Sequence, residues 1–262
     1  MRPVIISCLI CISLSAYDTA FGLTSQEKGK ELAYKVEENF DHFVNFTSEV
    51  VIHIMDGKGN EVVRSMKMDV LETPGDGDKI LMRFESPADV KGTAFLILGH
   101  KFKFDDVWIY LPDIRRVKRI SSQTKGSDFM GTEFVTEDMG RPEPEKYTYN
   151  WIREESCGNL MCDLVERFPV EKSSIYLKQI MWIDQDKFRI QKFDYFSKKG
   201  KFVKTLEFLD YKLHEGKFWR WSEHRMTNHV TGEVTRSEFK TWDHSVRLKS
   251  SEFTVNGLQN IR

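Results

Sequence analysis

Residues 184–217 read DQDKFRIQKFDYFSKKGKFVKTLEFLDYKLHEGK, and their punctuation decides the fold. Turn-forming clusters at Asp184 to Lys187, Lys198 to Lys201 and His214 to Lys217, with a fourth at Val230 to Glu233, separate apolar-rich runs of about ten to fifteen residues. Consecutive strands joined by such short connections form an antiparallel meander. The runs are long for globular strands, so the sheet is expected to be tall and strongly curved. Large apolar residues occupy both alternating faces: Phe202, Leu206 and Phe208 on one, Val203, Leu209, Tyr211 and Leu213 on the other. Both faces are therefore expected to be partly covered, one by a helix and the other by the opposite wall of a barrel.

Working outward, Val62, Met66, Met68 and Val70 alternate with Val63, Ser65, Lys67 and Asp69 until the turn signal Thr73-Pro74-Gly75-Asp76-Gly77. One long helix is predicted from Ser25 to about Phe43, capped by Thr24 or Ser25 with Glu27 in its first turn. Its stripe of Leu32, Val36, Phe40 and Phe43 must cover something. Gly140-Arg141-Pro142-Glu143-Pro144-Glu145 is the segment nearest to a linker and reads as a long loop within one curved sheet. Residues 23–262 are expected to form a single, mainly β (α+β) domain.

The 262 residues carry 39 Lys+Arg against 40 Asp+Glu, a net charge of −1, which argues against a nucleic-acid binder. Hydrophobic residues make up 40%, enough for a packed core. Arg2, an apolar run from Val4 to Ala16 and the small-residue exit Ala20-Phe21-Gly22 describe a secretory signal peptide, residues 1–22, with an uncleaved anchor as the alternative. Cys8 and Cys11 leave with it. The remaining pair, Cys157 and Cys162, spans a Gly-Asn turn in an oxidising compartment and is expected to form a disulfide, metal binding being the alternative.

No nucleophile elbow, phosphate loop, dinucleotide fingerprint or zinc-binding helix is present, so no catalytic residue, metal site or cofactor is expected. His224 and His229 fall on opposite strand faces and read as surface or hydrogen-bonded histidines. Asp184 and Asp186 belong to turn chemistry. Asn45-Phe46-Thr47 matches a glycosylation acceptor, a short pattern that is frequent by chance. One segment stands apart: Val107-Trp108-Ile109-Tyr110-Leu111-Pro112-Asp113-Ile114-Arg115-Arg116-Val117-Lys118-Arg119-Ile120-Ser121-Ser122, continuing to Gly126-Ser127-Asp128-Phe129-Met130-Gly131-Thr132-Glu133-Phe134. It is either a solvated edge hairpin or an apolar mouth with cations at its rim, suited to an amphiphile.

This segment, continued by Val135-Thr136-Glu137-Asp138-Met139, resembles the signature of the outer-membrane lipoprotein-sorting protein family, the LolA-like superfamily of Gram-negative bacteria. The shared pattern is Trp-x-Tyr-Leu-Pro, a basic stretch ending in Arg-Ile-Ser, then Phe-Met-Gly-x-x-Phe and an acidic pair. The resemblance continues through Tyr176, Trp182-Ile183-Asp184, the Lys192 to Gly200 hairpin, Met226, Gly232 and Phe253-Thr254 to Leu258. It implies a periplasmic protein with an unclosed, strongly curved antiparallel β-barrel, covered by helices, whose apolar cavity receives lipid or lipoprotein acyl chains. The length and the Phe-Met-Gly signature resemble a divergent branch associated with transporters of the resistance-nodulation-division (RND) type, which implies an RND-type inner-membrane exporter as partner. The leading expectation is a monomeric carrier without catalysis, binding neither nucleic acid nor cofactor. Trp108, Tyr110, Phe129, Met130 and Trp182 are the expected cavity or mouth, and Arg115, Arg116, Lys118 and Arg119 the rim. A non-carrier adaptor of the exporter is the alternative, and an enzyme acting on envelope lipids a third.

Overall fold

The computed structural model describes residues 22–121, 126–141 and 143–260; the expected signal peptide, save Gly22, lies outside them. Helix α1 (Ser25–Phe40) opens on a capping box, in which Thr24 Oγ1 accepts the Glu27 N–H at 3.2 Å and the Glu27 carboxylate accepts the Thr24 N–H at 2.9 Å. It stops three residues before the expected end. Asp41 is extended and His42 and Val44 have positive φ, while Arg220 and Arg141 donate to the carbonyls of Phe40 and Glu37 at 3.1 and 3.3 Å, satisfying the end groups of the last turn. Phe43, outside the helix, is still buried, edge-on to Phe40 and Phe46.

Two antiparallel meanders follow. The first is β1 (Asn45–Met55), β2 (Glu61–Leu71), β3 (Lys79–Ser86), β4 (Ala94–Leu98), β5 (Asp106–Leu111) and β6 (Arg116–Ile120). The second is β7 (Tyr147–Cys157), β8 (Leu160–Pro169), β9 (Tyr176–Asp184), β10 (Ile190–Ser197), β11 (Phe202–Leu209), β14 (Glu223–Asn228) and β15 (Val234–Phe239), interrupted by the small hairpin β12 (Lys212–His214) and β13 (Phe218–Arg220). Pairing of β1 with β15, from Val50↔Phe239 to Met55↔Val234, welds them into one 13-stranded sheet with β6 and β7 at its free edges. The sheet is not closed into a barrel, as expected.

Strand alternation sends one set of side chains to a concave face and the other to a convex one. The main core, which includes Val50, Ile52, Met82, Phe84, Val165, Met181 and Met226, occupies the concave side. On the convex side Leu81, Ala94 and Leu96 are covered by Phe253 and by Leu258 of helix α2 (Val255–Gln259). The expected partial cover of both faces holds along β11, where Val203 and Leu209 are half-buried opposite Leu206 and Phe208, but it fails at the ends of the run. Leu206 and Phe208 are buried, but Phe202 is 43% exposed and Leu213 47%, because α1 packs on β7 and α2 on β4 to β6. Tyr211 reaches the cavity because Asp210, at φ 55°, ends the strand and bends the chain inward.

Helix α1 approaches β7 closely. A Cβ on Gly29 would lie 2.9 Å from the Trp151 nitrogen, so glycine is required there by backbone proximity, not by φ. The disulfide Cys157–Cys162, with Cα atoms 5.9 Å apart, closes the tip of the β7–β8 hairpin as expected. Asn45 is 9% exposed and its side-chain oxygen accepts the Leu248 N–H, so the glycosylation pattern falls on a buried, structural asparagine. Asp184 is fully buried and accepts from the N–H of Lys187 at 2.6 Å and Nε of Arg189 at 2.7 Å, the expected turn chemistry.

Candidate functional site

Residues 126–141 cross from the β6 edge toward the β7 edge as a strap over the concave face. Phe129 inserts among Phe95 and Phe84, with ring centroids 4.6 and 5.9 Å away. The Met130 carbonyl accepts from Arg64 on β2. Glu133 receives Asn228 Nδ2 at 2.6 Å and donates its N–H to Thr235 Oγ1 at 2.8 Å. Glu137 accepts from Ser174 Oγ and the Ile175 N–H, and Asp138 from Tyr176 Oη. The strap is thus tied in turn to β2, β14 and β15, and the start of β9.

Between strap, helix and sheet lies a cavity of about 1050 Å³. This is at the upper end of small-molecule sites, roughly 300–1,000 Å³. Helix α1 contributes Ala33, Val36 and Phe40, and the sheet contributes its concave rows. Strand register makes those rows explicit. Val165↔Met181, Met181↔Phe193, Phe193↔Leu206 and Leu206↔Met226 form an apolar row across five strands. Two residues along, Arg167↔Gln179, Gln179↔Tyr195, Tyr195↔Lys204 and Lys204↔Asn228 form a polar one. On the other side of the apolar row, Phe208↔His224 and His224↔Ser237 lead to Ile52.

Arg167 is 5% exposed. Its guanidinium lies over the Tyr147 and Phe193 rings at 4.2 and 4.4 Å, and Nε donates to Gln179 Oε1 at 2.5 Å. Burial pushes the Asp138 carboxyl up to about 6, against the hydrogen bond it accepts from the Val135 N–H, and pushes the Tyr195 phenol well above its ordinary range. His224 is held down at about 3 by burial alone, packed against Trp221, Phe208 and Phe239, with Nε2 unpartnered. Toward α1, carboxylate oxygens of Glu37, Glu143 and Glu145 lie within 4.8 Å of one another, a spacing that would suit a cation. The Lys101 ammonium stands 3.5 Å from both Glu37 and Glu145, and burial raises Glu143 to about 8. Phe102 and Val170, 80% and 61% exposed, stand at the cavity's outer lip with Lys103 and Lys172.

The structure divides the expected site residues. Phe129 lines the cavity. Met130 sits beside it, lining a smaller hollow with Ile109 and Lys118. Trp108 and Tyr110 are corrected to the convex face, packed with the α2 cluster, because the β5 residues turned inward are the odd-numbered Val107 and Ile109. Trp182 is likewise convex, beside Cys162 and Leu164 with Lys192 3.6 Å over its ring. Arg119 reaches the cavity and pairs with Asp106, whereas Arg115 and Arg116 are exposed at the β5–β6 turn. The histidine reading is corrected for His224, which is buried in the cavity wall; His229 bonds Thr205 at 2.9 Å. Arg167, Gln179 and Tyr195 are additions to the expected site. Their signal is an arginine, a glutamine and a tyrosine at positions where the strand alternation calls for apolar residues.

A half-barrel around an apolar cavity with a polar row defines the class: a binding fold of the LolA-like architecture. The comparisons agree. A solved domain from Vibrio parahaemolyticus, described as a candidate outer-membrane lipoprotein-sorting protein domain, is 36% identical over 90% of this chain and all of its own, with a TM-score of 0.87. A DUF1329 family protein from Desulfovibrio piger is 28% identical with a TM-score of 0.85, and a LolA superfamily protein from Nitrosomonas europaea is 20% identical with 0.71; each is covered completely by 90% of this chain. A family model described only as an uncharacterized protein matches residues 76–260. No curated protein matches the chain. The chain belongs to the outer-membrane lipoprotein-sorting protein family and has the LolA-like fold.

Proposed function

We propose that this protein is a periplasmic carrier that shelters the acyl chain of a lipid or lipoprotein in its half-barrel and passes it between membrane partners, without catalysis. The observation that carries the reading is the cavity of about 1050 Å³, walled by Met181, Phe193 and Leu206 from the middle of the apolar row and roofed by α1 and the Phe129 strap. A core of this size that served stability alone would close on itself, since interiors normally pack with few voids larger than a water molecule. Each methylene transferred from water contributes about 0.8 kcal/mol, so a chain of about 14 methylenes gains about 11 kcal/mol before the cost of association. Handover then needs a difference of only a few kcal/mol between donor and acceptor. Phe129 is proposed as a lining residue and Arg119 as a rim cation; an RND-type exporter is the proposed inner-membrane partner.

Trp221 and Trp242 line the cavity. Titrating a long-chain fatty acid into the purified protein should therefore shift tryptophan emission saturably, with one site per chain. Emission that does not change, together with no displacement of a cavity-directed dye, would remove the carrier reading.

A further inference from the structure

We infer that Arg167 is the anchor for a single anionic head, a carboxylate or phosphate monoester, on an amphiphile whose tail lies along the apolar row. The inference rests on the carrier reading and names the chemistry of what is carried.

An arginine 95% buried in a cavity wall is costly unless its charge is answered. The strap carboxylates do not answer it. Asp138 is engaged by the Val135 N–H and Tyr176 Oη, Glu137 by Ser174 and Ile175, and Glu133 by Asn228 and Lys204. Arg167 itself makes one hydrogen bond among the described residues, from Nε to Gln179, and no ion pair. The guanidinium lies over two aromatic rings, and its two Nη groups make no hydrogen bond among the described residues. Those groups are the fork that matches carboxylate and phosphate oxygens. The Tyr195 phenol, 4% exposed and without a hydrogen-bond partner among the described residues, stands two strands away in the same row.

The position along the strand also fits. Arg167 lies two residues inside Pro169, where β8 leaves the sheet for the exposed lip at Val170, Glu171 and Lys172. Going the other way along β8, the next inward residue is Val165, the start of the apolar row, and Met181 and Phe193 continue it. A head at Arg167 therefore sits just beneath the lip, and the tail runs inward toward Leu206, Phe208 and His224. The cations at the β5–β6 turn, exposed to water, have no comparable hold on a head group.

The test compares four probes on the full chain by displacement of a bound fluorophore: palmitate, its uncharged methyl ester, hexadecyl phosphate and inorganic phosphate. The expected result is that palmitate and hexadecyl phosphate bind about tenfold to a hundredfold tighter than the ester, the range for a hydrogen bond to a charged group, while inorganic phosphate does not compete. Arg167→Gln should bring both acids to the affinity of the ester and leave the ester unchanged; Arg167→Lys should keep part of the preference. Equal binding of acid and ester by the unaltered protein, or an unchanged ratio in Arg167→Gln, overturns the inference while leaving the carrier standing. Competition by inorganic phosphate alone assigns the site to a free anion and overturns it too. Binding of none of the long-chain probes instead removes the carrier reading on which it rests. If the glutamine variant does not fold, Arg167→Lys decides the matter: an acid-to-ester ratio identical to that of the unaltered protein overturns the inference, and a reduced ratio supports it.

Discussion

At the scale of single residues, His224 carries a consequence for pH. Burial holds it neutral to about 3, against an ordinary value of 6.5. The unfolded chain therefore takes up the proton first, so the stabilisation is complete above about pH 6.5 and is lost as pH falls toward 3. Asp138, raised to about 6, acts in the opposite sense between roughly pH 6 and 4. The two separate in a difference measurement: relative to His224→Phe, the unaltered protein should lose about 1.4 kcal/mol of stability per pH unit between pH 6 and 4. A difference independent of pH, from urea unfolding at each pH, would contradict the buried neutral imidazole. Phe129 is a second such residue. Its ring is 3% exposed against Phe95 and Phe84, so Phe129→Asp should both weaken fatty-acid binding and lower stability by several kcal/mol, on the order of 3–5. Unchanged binding and melting would remove it from the wall.

At the scale of elements, two substitutions probe how the frame holds the cavity. Gly29→Ala in a helix ordinarily adds about 1 kcal/mol, but here the new Cβ meets the Trp151 nitrogen at 2.9 Å, so α1 must lift from β7. The melting temperature should fall; a rise would show that the contact is soft. Replacing Cys157 and Cys162 with serine opens a loop of five residues' separation, worth about 2 kcal/mol. Because the pair lies with Leu164 and Trp182 on the convex face, ligand binding should be unaffected. The elements themselves were largely legible. The turn clusters between residues 184 and 233 mark the second meander, and Thr24 with Glu27 marks the start of α1. Less legible was which parity of each strand faces inward. Trp108 and Trp182 are large and aromatic, as cavity residues are, but α2 and the disulfide hairpin cover them from outside. The helix ended early for a similar reason: Arg141 and Arg220, more than a hundred residues away, supply its last hydrogen bonds. Long-range partners of this kind leave no local pattern.

At the scale of the whole molecule, the two meanders are joined by pairing their first and last strands, β1 and β15, which places the free edges β6 and β7 at the ends of one curved sheet. Residues 126–141, between those edges, cross the concave side, and the strap and α1 together roof a cavity which the sheet alone would leave open. The net charge is near zero, and Arg167 makes no ion pair among the described residues. Native mass spectrometry of the protein released gently from expressing cells shows whether the cavity holds an amphiphile. The expected spectrum contains a bound species of lipid mass, in about one-to-one ratio, released by organic extraction and recovered as a molecule with an acyl chain and one acidic head. A spectrum of bare protein, in a preparation that also fails to take up added fatty acid, would contradict the carrier reading.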